Sequence, residues 1–360
     1  MSRVSSTLVF LFFGALLGFG VFRVAGLETA TPDTTTTTPP LAVETTTTST
    51  STTTSTTTPS TTTTTTIPRG SLLIHGTGDV AVDPVYIPTL AREGYGHAWS
   101  GLDGLFLADD LTVINLECVP SDLGTPLNKE FTFRCPTDAL PSIMDNGVDV
   151  ANLGNNHSQD YGTEAMIDGR QQLLDVGIIP VGVGIDAYEA AEPALYEING
   201  WTVAVIGFGG VAPSASWYAT VDSPGMRSGD DTPSMVRAVE AAAELAEIVV
   251  VSIHWGFELD TEPRADDIER AHAMIDAGAD IIFGHHQHRM QPLELIEGKP
   301  VFWGLGNFVW PHNSVASATT AVARVVVNPD GSIEACLIPA FIRTHGRPEI
   351  TGEAECGPPA

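Results

Sequence analysis

The chain has 360 residues and carries 16 Lys and Arg against 44 Asp and Glu, a formal net charge of −28. A field of that sign repels other polyanions and excludes an unassisted grip on nucleic acid, although a bound multivalent cation reverses the balance locally. The length would hold one large domain or two small ones, but the first 70 residues do not read as part of a core.

At the N-terminus, Arg3 precedes the apolar run LVFLFFGALLGFGVF, Leu8 to Phe22, and Arg23 follows it. Residues 1–30 are therefore read as a targeting segment. The run is long for a signal-peptide core and short for a spanning helix of about 20 residues. An uncleaved signal anchor is preferred to a signal peptide cleaved near Ala25 or Ala30. Residues 31–70 are dominated by threonine with scattered proline and serine, a composition that builds no core and reads as a disordered stalk with acceptors for O-glycosylation. The expected location is the cell membrane, with a single-pass anchor and an extracytoplasmic domain; secretion after cleavage is the alternative.

Residues 71–356 read as one α/β domain. Apolar strand candidates at 72–75, 111–116, 148–153, 178–184, 201–208, 248–253, 280–283, 301–304 and 322–328 alternate with helical spacing at 102–108, 138–146, 164–175, 233–246 and 266–277. Gly278 is placed as the C-terminal cap of the last helix. Cys118, Cys135, Cys336 and Cys356 allow three disulfide pairings. Cys118 with Cys135 and Cys336 with Cys356 are favoured because each closes a short loop, and disulfides suit an exported domain.

Polar residues recur just beyond the apolar strands. Asp79 follows the first, Asn115 and Glu117 close the second, and Asn155, Asn156 and His157 follow the third. His254, then His285, His286 and His288, then Asn307, follow later strands. In an α/β sheet the loops beyond the strand ends converge on one edge, where ligands bind. Carboxylate, amide and imidazole are what divalent metals of the Mn, Fe and Zn class accept, and a set of this size suits two ions acting on a phosphoryl group and a water. Taken singly, Asp79 reads as a turn residue, Glu117 as a strand cap and His254 as a core histidine. Three histidines in the five residues of GHHQH have few structural purposes. Lys129 and Arg134 are either anion contacts or parts of a surface hairpin. Trp99, Trp255, Phe257 and Trp310 are either an apolar wall of the cleft or core.

The series GDV, NLE, GNNHSQDYG, HWGFE, GHHQHRMQPLE and GKPVFWGLGNF resembles the motif order of the CapA family of capsule-synthesis proteins, tied to poly-γ-glutamate, over roughly residues 71 to 312. That family is similar to the calcineurin-like metallophosphoesterases. The resemblance implies a four-layer sandwich of two packed β-sheets flanked by helices. It places Asp79, Glu117, Asn156, His254, His286 and His288 as metal ligands, with Glu117 bridging, and His157 as the catalytic general acid. Asn115, Asn155, His285, Arg289 and Asn307 fall around the ligands or at substrate. Two departures stand out: Asp79 is followed by Val80 and Ala81 where phosphoesterases have Asp-x-His, and the bridging position is Glu where they have Asp. The implied function is capsule or surface-polymer biosynthesis through a metal-dependent phosphoesterase-like hydrolytic site. Its substrate would be an anionic polymer or phosphoester, with capsule-synthesis membrane proteins as partners. The alternative is a non-catalytic component that binds or exports an anionic polymer with metal assistance.

Overall fold

The computed structural model of the chain describes residues 68–357, so the expected targeting segment and nearly all of the threonine tract lie outside the described residues. No helix among the described residues is long and apolar enough to cross a membrane. In chain order the strands are β1 Leu72–Val80, β2 Leu111–Leu116, β3 Val150–Asn152, β4 Ile179–Val181, β5 Val183–Gly184, β6 Ala194–Ile198, β7 Trp201–Gly209, β8 Gly225–Met226, β9 Ile248–His254, β10 Ile281–His285, β11 Leu293–Ile296, β12 Lys299–Phe302, β13 Asn307–Val309, β14 Thr319–Val327, β15 Ile333–Thr344, β16 Arg347–Ile350 and β17 Glu355–Cys356. The helices are α1 Pro88–Glu93, α2 Leu140–Asp145, α3 Thr163–Val176, α4 Thr232–Ala243, α5 Ala265–Asp276 and α6 Val315–Ala318.

Strands such as β9, IVVVSIH, are apolar almost throughout because both faces are covered, as parallel strands between layers require. Two sheets result. The first runs β16-β15-β14-β1-β2-β3-β4, with β13 on β1 and β17 on β15; the second runs β11-β12-β10-β9-β7-β6. Their inner faces meet in one core that joins Leu72, Ile74, Leu111 and Val113 to Val203, Val205, Val250 and Phe283. On the outer face of the second sheet, Met235 and Val239 of α4 and Ala271 and Met274 of α5 pack on Ile206, Val251 and Ile253. Leu90 of α1, Ile143 of α2 and Met166 and Leu173 of α3 cover Ile114, Leu116 and Ala151 on the first. The order is helix, sheet, sheet, helix, which is the expected fold class.

Local chemistry explains the element ends. Asp231 accepts from the Ser234 amide ahead of α4, and Asp266 and Asp267 favour the N-terminal dipole of α5. Gly278, just past α5, adopts φ 115, as a helix stop requires. The expected helix over 102–108 shrinks to a single 3-10 turn, Leu105–Leu107, because Asp103 and Gly104 take left-handed backbone at φ 51 and 76. The first strand is longer than its apolar stretch: Asp79 lies inside β1 rather than after it. GTG, outside the strand candidate at 72–75, is strand because the glycines admit close neighbours. A Cβ on Gly76 would stand 2.8 Å from the Phe283 ring, and one on Gly78 would stand 2.1 Å from the Gly306 carbonyl oxygen. Cys118 pairs with Cys135 and Cys336 with Cys356, the two short-loop pairings.

Candidate metal centre

β1 to β4 run parallel in one sheet, as do β7, β9, β10 and β12 in the other. Parallel strands place all their carboxyl ends on one edge, and the two edges meet. Asp79 lies near the end of β1, Asn115 lies in β2, and Glu117 directly follows β2. Asn155, Asn156 and His157 occupy the turn after β3. His254 and His285 end β9 and β10, and His286 and His288 lie in the loop beyond.

Two donor groups form there and share one carboxylate. Glu117, His254 and His286 offer ligand atoms within 4.8 Å of one another, and so do Asp79, Glu117 and His288. Glu117 Oε1 lies 3.5 Å from His254 Nε2 and 3.9 Å from both His157 Nε2 and His288 Nε2. Asp79 Oδ2 is 2.9 Å from His288 Nδ1, and the Asn156 side-chain oxygen is 2.9 Å from His254 Nε2. Asn156 thereby joins the first group. Asn115 Nδ2 donates to Asp79 Oδ1 at 2.8 Å and lies 3.2 Å from His254 Nδ1, so it aligns one residue of each sheet.

The residues fit a divalent cation. Glu117 is fully buried, yet neither of its carboxylate oxygens has a hydrogen-bond partner among the described residues; His286 Nδ1 is likewise orphaned. Buried polar atoms are rarely left so, and an ion is the ordinary remedy for a carboxylate ringed by imidazoles. His286 and His288 also hold left-handed backbone at φ 97 and 52, a strain of about 1–3 kcal/mol each that clusters at functional sites.

Burial, then repulsion from Asp79, lifts the Glu117 carboxyl well above its ordinary value. Burial alone would also raise Asp79, but the contact with His288, with His285 and Asn115 behind it, outweighs burial and holds that carboxyl low. Burial keeps the imidazoles neutral: His286 falls to about 3 and His285 to about 4, and His254 falls well below the usual range with the neighbouring histidines adding to the effect. Neutral imidazole is the ligating form.

His157 Nε2 faces Glu117, while its Nδ1 lies 2.5 Å from Asp160 Oδ2. Burial lowers this imidazole, with Asp160 acting in the opposite direction. Asp160 is buried; its Oδ2 also accepts from the Phe133 amide, and its Oδ1 meets Lys129 Nζ, which donates as well to the Asn156 carbonyl. Sequence reading missed Asp160; its only signal is the three-residue spacing from His157 in NHSQD. Lys129 thus belongs to the site margin. Arg134 does not: it stacks on Tyr161 and holds the carbonyls of Asp122 and Leu123.

The other expected residues divide. Asn155 serves the turn, donating to the Leu116 carbonyl and accepting from the His157 amide. His285 Nδ1 stands 3.8 Å from Asp79 Oδ1, with its Nε2 3.1 Å from Ser252 Oγ, and Arg289 donates to the His288 carbonyl. Asn307 lies opposite Asp79 in the pairing of β1 and β13. Among the aromatic candidates only Trp310 reaches the centre, its ring 4.7 Å from that of His288; Phe133, 4.4 Å from the His157 ring, completes that wall. Trp99 and Trp255 are core, and Phe257 is an exposed ring beneath Arg264.

The chain is 29% identical over 258 residues to the PGA biosynthesis protein CapA of Bacillus subtilis, a match covering 71% of this chain and 67% of that protein. It is 30% identical over 233 residues to a probable polyglutamine synthesis accessory protein of Mycobacterium tuberculosis, covering 62% of this chain and 61% of the relative. With the capsule biosynthesis protein CapA of Bacillus anthracis the identity is 29%, over 62% of this chain and 55% of the relative. The chain therefore spans only part of the length of these relatives. Among solved structures, the NAD nucleotidase of Haemophilus influenzae superposes at a TM-score of 0.47 and 15% identity, over 78% of this chain and 60% of that one. The model of the bacterial capsule synthesis protein family PGA_cap matches residues 74–312, a span that holds every expected ligand, and the chain belongs to that family.

Proposed function

We propose that this protein is an exported accessory factor in capsule or surface-polymer synthesis of the poly-γ-glutamate type, and that it acts through a divalent-metal-dependent hydrolytic site on a phosphoester or similarly anionic bond. The observation that carries the metal-dependent reading is Glu117, buried with both oxygens unpartnered and common to two ligand groups. The family and the named roles of its relatives support the cellular process. Two disulfides support export, and the apolar run at 8–22 supports a membrane tether that brings the domain near membrane-bound synthesis proteins.

Divalent ions of the Mn, Fe or Zn class, when bound, would polarise an anionic ester and acidify water. Asp79, Glu117 and His288 would hold one, and Glu117, Asn156, His254 and His286 the other. His157 presents Nε2 to the space beside Glu117, and Asp160 holds the opposite ring nitrogen and favours the doubly protonated ring, so the imidazolium would give its Nε2 proton to a departing oxygen and return to the neutral form. Trp310 and Phe133 keep that side of the site apolar.

The test is elemental analysis of the full chain purified without chelator, beside a variant with His286 and His288 changed to alanine, followed by assays on bis(p-nitrophenyl) phosphate and on poly-γ-glutamate. About two ions in the parent, fewer in the variant and turnover lost on chelation are expected. Metal retention with polymer binding and no turnover would replace hydrolysis by metal-assisted polymer binding. A parent that takes up no ion from Mn, Fe or Zn solutions would overturn the metal-dependent reading.

A further inference from the structure

We infer that Asn307 is a metal ligand, its side-chain oxygen completing the ion site of Asp79, Glu117 and His288. This rests on the metal-centre reading above and extends it to a residue outside both donor groups.

The strand pairing places the side chain. In the parallel ladder Asp79 lies opposite Asn307 on one side and opposite Asn115 on the other, and the next matched pair is Val80 with Val309. The register slips by one residue between those two pairs, and the residues next in chain to Asp79 and Asn307, Val80 and Phe308, both pack in the helix-covered core. Neighbouring positions point to opposite faces, so Asp79 and Asn307 share the inner face, where Asn115 also contacts Asp79. Which amide atom is free is also fixed. Asn307 Nδ2 donates to the Ser317 carbonyl at 2.8 Å, a bond that only the nitrogen can make, and this leaves Oδ1 buried without a partner. The residue is 1% exposed, so solvent does not satisfy that oxygen.

The donor chemistry then differs between the two sites. With Asn307 the first offers three oxygen-bearing side chains and one imidazole; the second offers Glu117, Asn156 and two imidazoles. Oxygen-rich sets suit Mn²⁺ and Mg²⁺, and imidazole-rich sets suit Zn²⁺ and Fe²⁺. The Asn307 site is therefore the Mn²⁺-preferring one.

Metal-stripped full chain would be titrated with Mn²⁺, following the free ion by electron paramagnetic resonance, in the parent and in the Asn307→Ala, Asn307→Asp and His286→Ala variants. The parent is expected to bind two ions. Asn307→Ala should weaken one of them at least about tenfold and leave the other unchanged, while His286→Ala should weaken the other. Asn307→Asp keeps the oxygen but cannot donate to Ser317, so it should bind Mn²⁺ at least as tightly as the parent. If Asn307 only anchors Ser317, the Asp and Ala variants lose affinity alike, and the assignment is overturned even where the Ala variant fails to fold. Two ions bound with unchanged affinity in Asn307→Ala overturn it equally. A parent that binds no ion overturns the metal-centre reading itself.

Discussion

Glu117 has two sealed oxygens and a carboxyl raised by burial and by Asp79, so it keeps its proton to higher pH than an exposed glutamate does. A cation can coordinate only the ionised form. Metal uptake by the stripped protein should therefore release more protons as pH falls into the range where Glu117 holds its proton, measurable by calorimetry in buffers of different ionisation enthalpy, and Glu117→Gln should abolish that extra release. His157 depends on Asp160 for ring orientation in a similarly local way. Asp160→Asn should lower kcat on bis(p-nitrophenyl) phosphate by roughly 10²-fold or more, the range of a displaced general acid, with ion content unchanged. Loss of ions in that variant would instead make Asp160 a support of the ligand turn.

At the scale of elements, the centre depends on how closely β1 approaches the segment entering β13. Gly78 meets the Gly306 carbonyl where any Cβ would collide, and this approach sets Asp79 beside Asn307. Gly78→Ala should destabilise the fold by about 1–3 kcal/mol in urea unfolding, as overpacking against fixed backbone does, and should weaken metal binding as well. This contact also marks where sequence reading stopped. The proposed ligands after β3, β9 and β10 were legible because each motif, NNH, HWGFE and GHHQH, carries a dense set of metal-accepting side chains directly after an apolar strand candidate. GTG was left outside the first strand candidate, since nothing in the sequence announces a neighbouring carbonyl or the Phe283 ring. The short strands β6, β11, β13 and β16 were missed for a related reason: each is 3 to 5 residues long and is defined by its partner rather than by its own pattern. Asp160 and Lys129 were in view as letters, but their convergence on His157 and Asn156 is a product of the fold.

For the molecule as a whole, the buried imidazoles link the centre to stability. His157, His254, His285 and His286 all titrate below their ordinary value in the folded state, His285 at about 4 and His286 at about 3. Below the unfolded value of about 6.5 the unfolded chain binds more of these protons, so stability falls as pH falls. Glu117, Asp83, Glu192 and Asp267, raised in the folded state, act in the opposite sense, but the unfolded value of the imidazoles lies inside the window from pH 7.5 to 5 and that of a carboxyl lies below it. The Tm of the metal-stripped protein should drop between pH 7.5 and pH 5, and a flat or rising Tm would show that the imidazoles are solvated. Each donor group also draws on both sheets: Glu117 and Asn156 face His254 and His286, and Asp79 and Glu117 face His288. An ion seated in either group would therefore act as a rivet through the sandwich, holding its two halves together at the edge where catalysis is proposed. Cation scarcity would then do more than idle the proposed chemistry: it would loosen the seam between the halves and leave the unoccupied protein open to proteolysis.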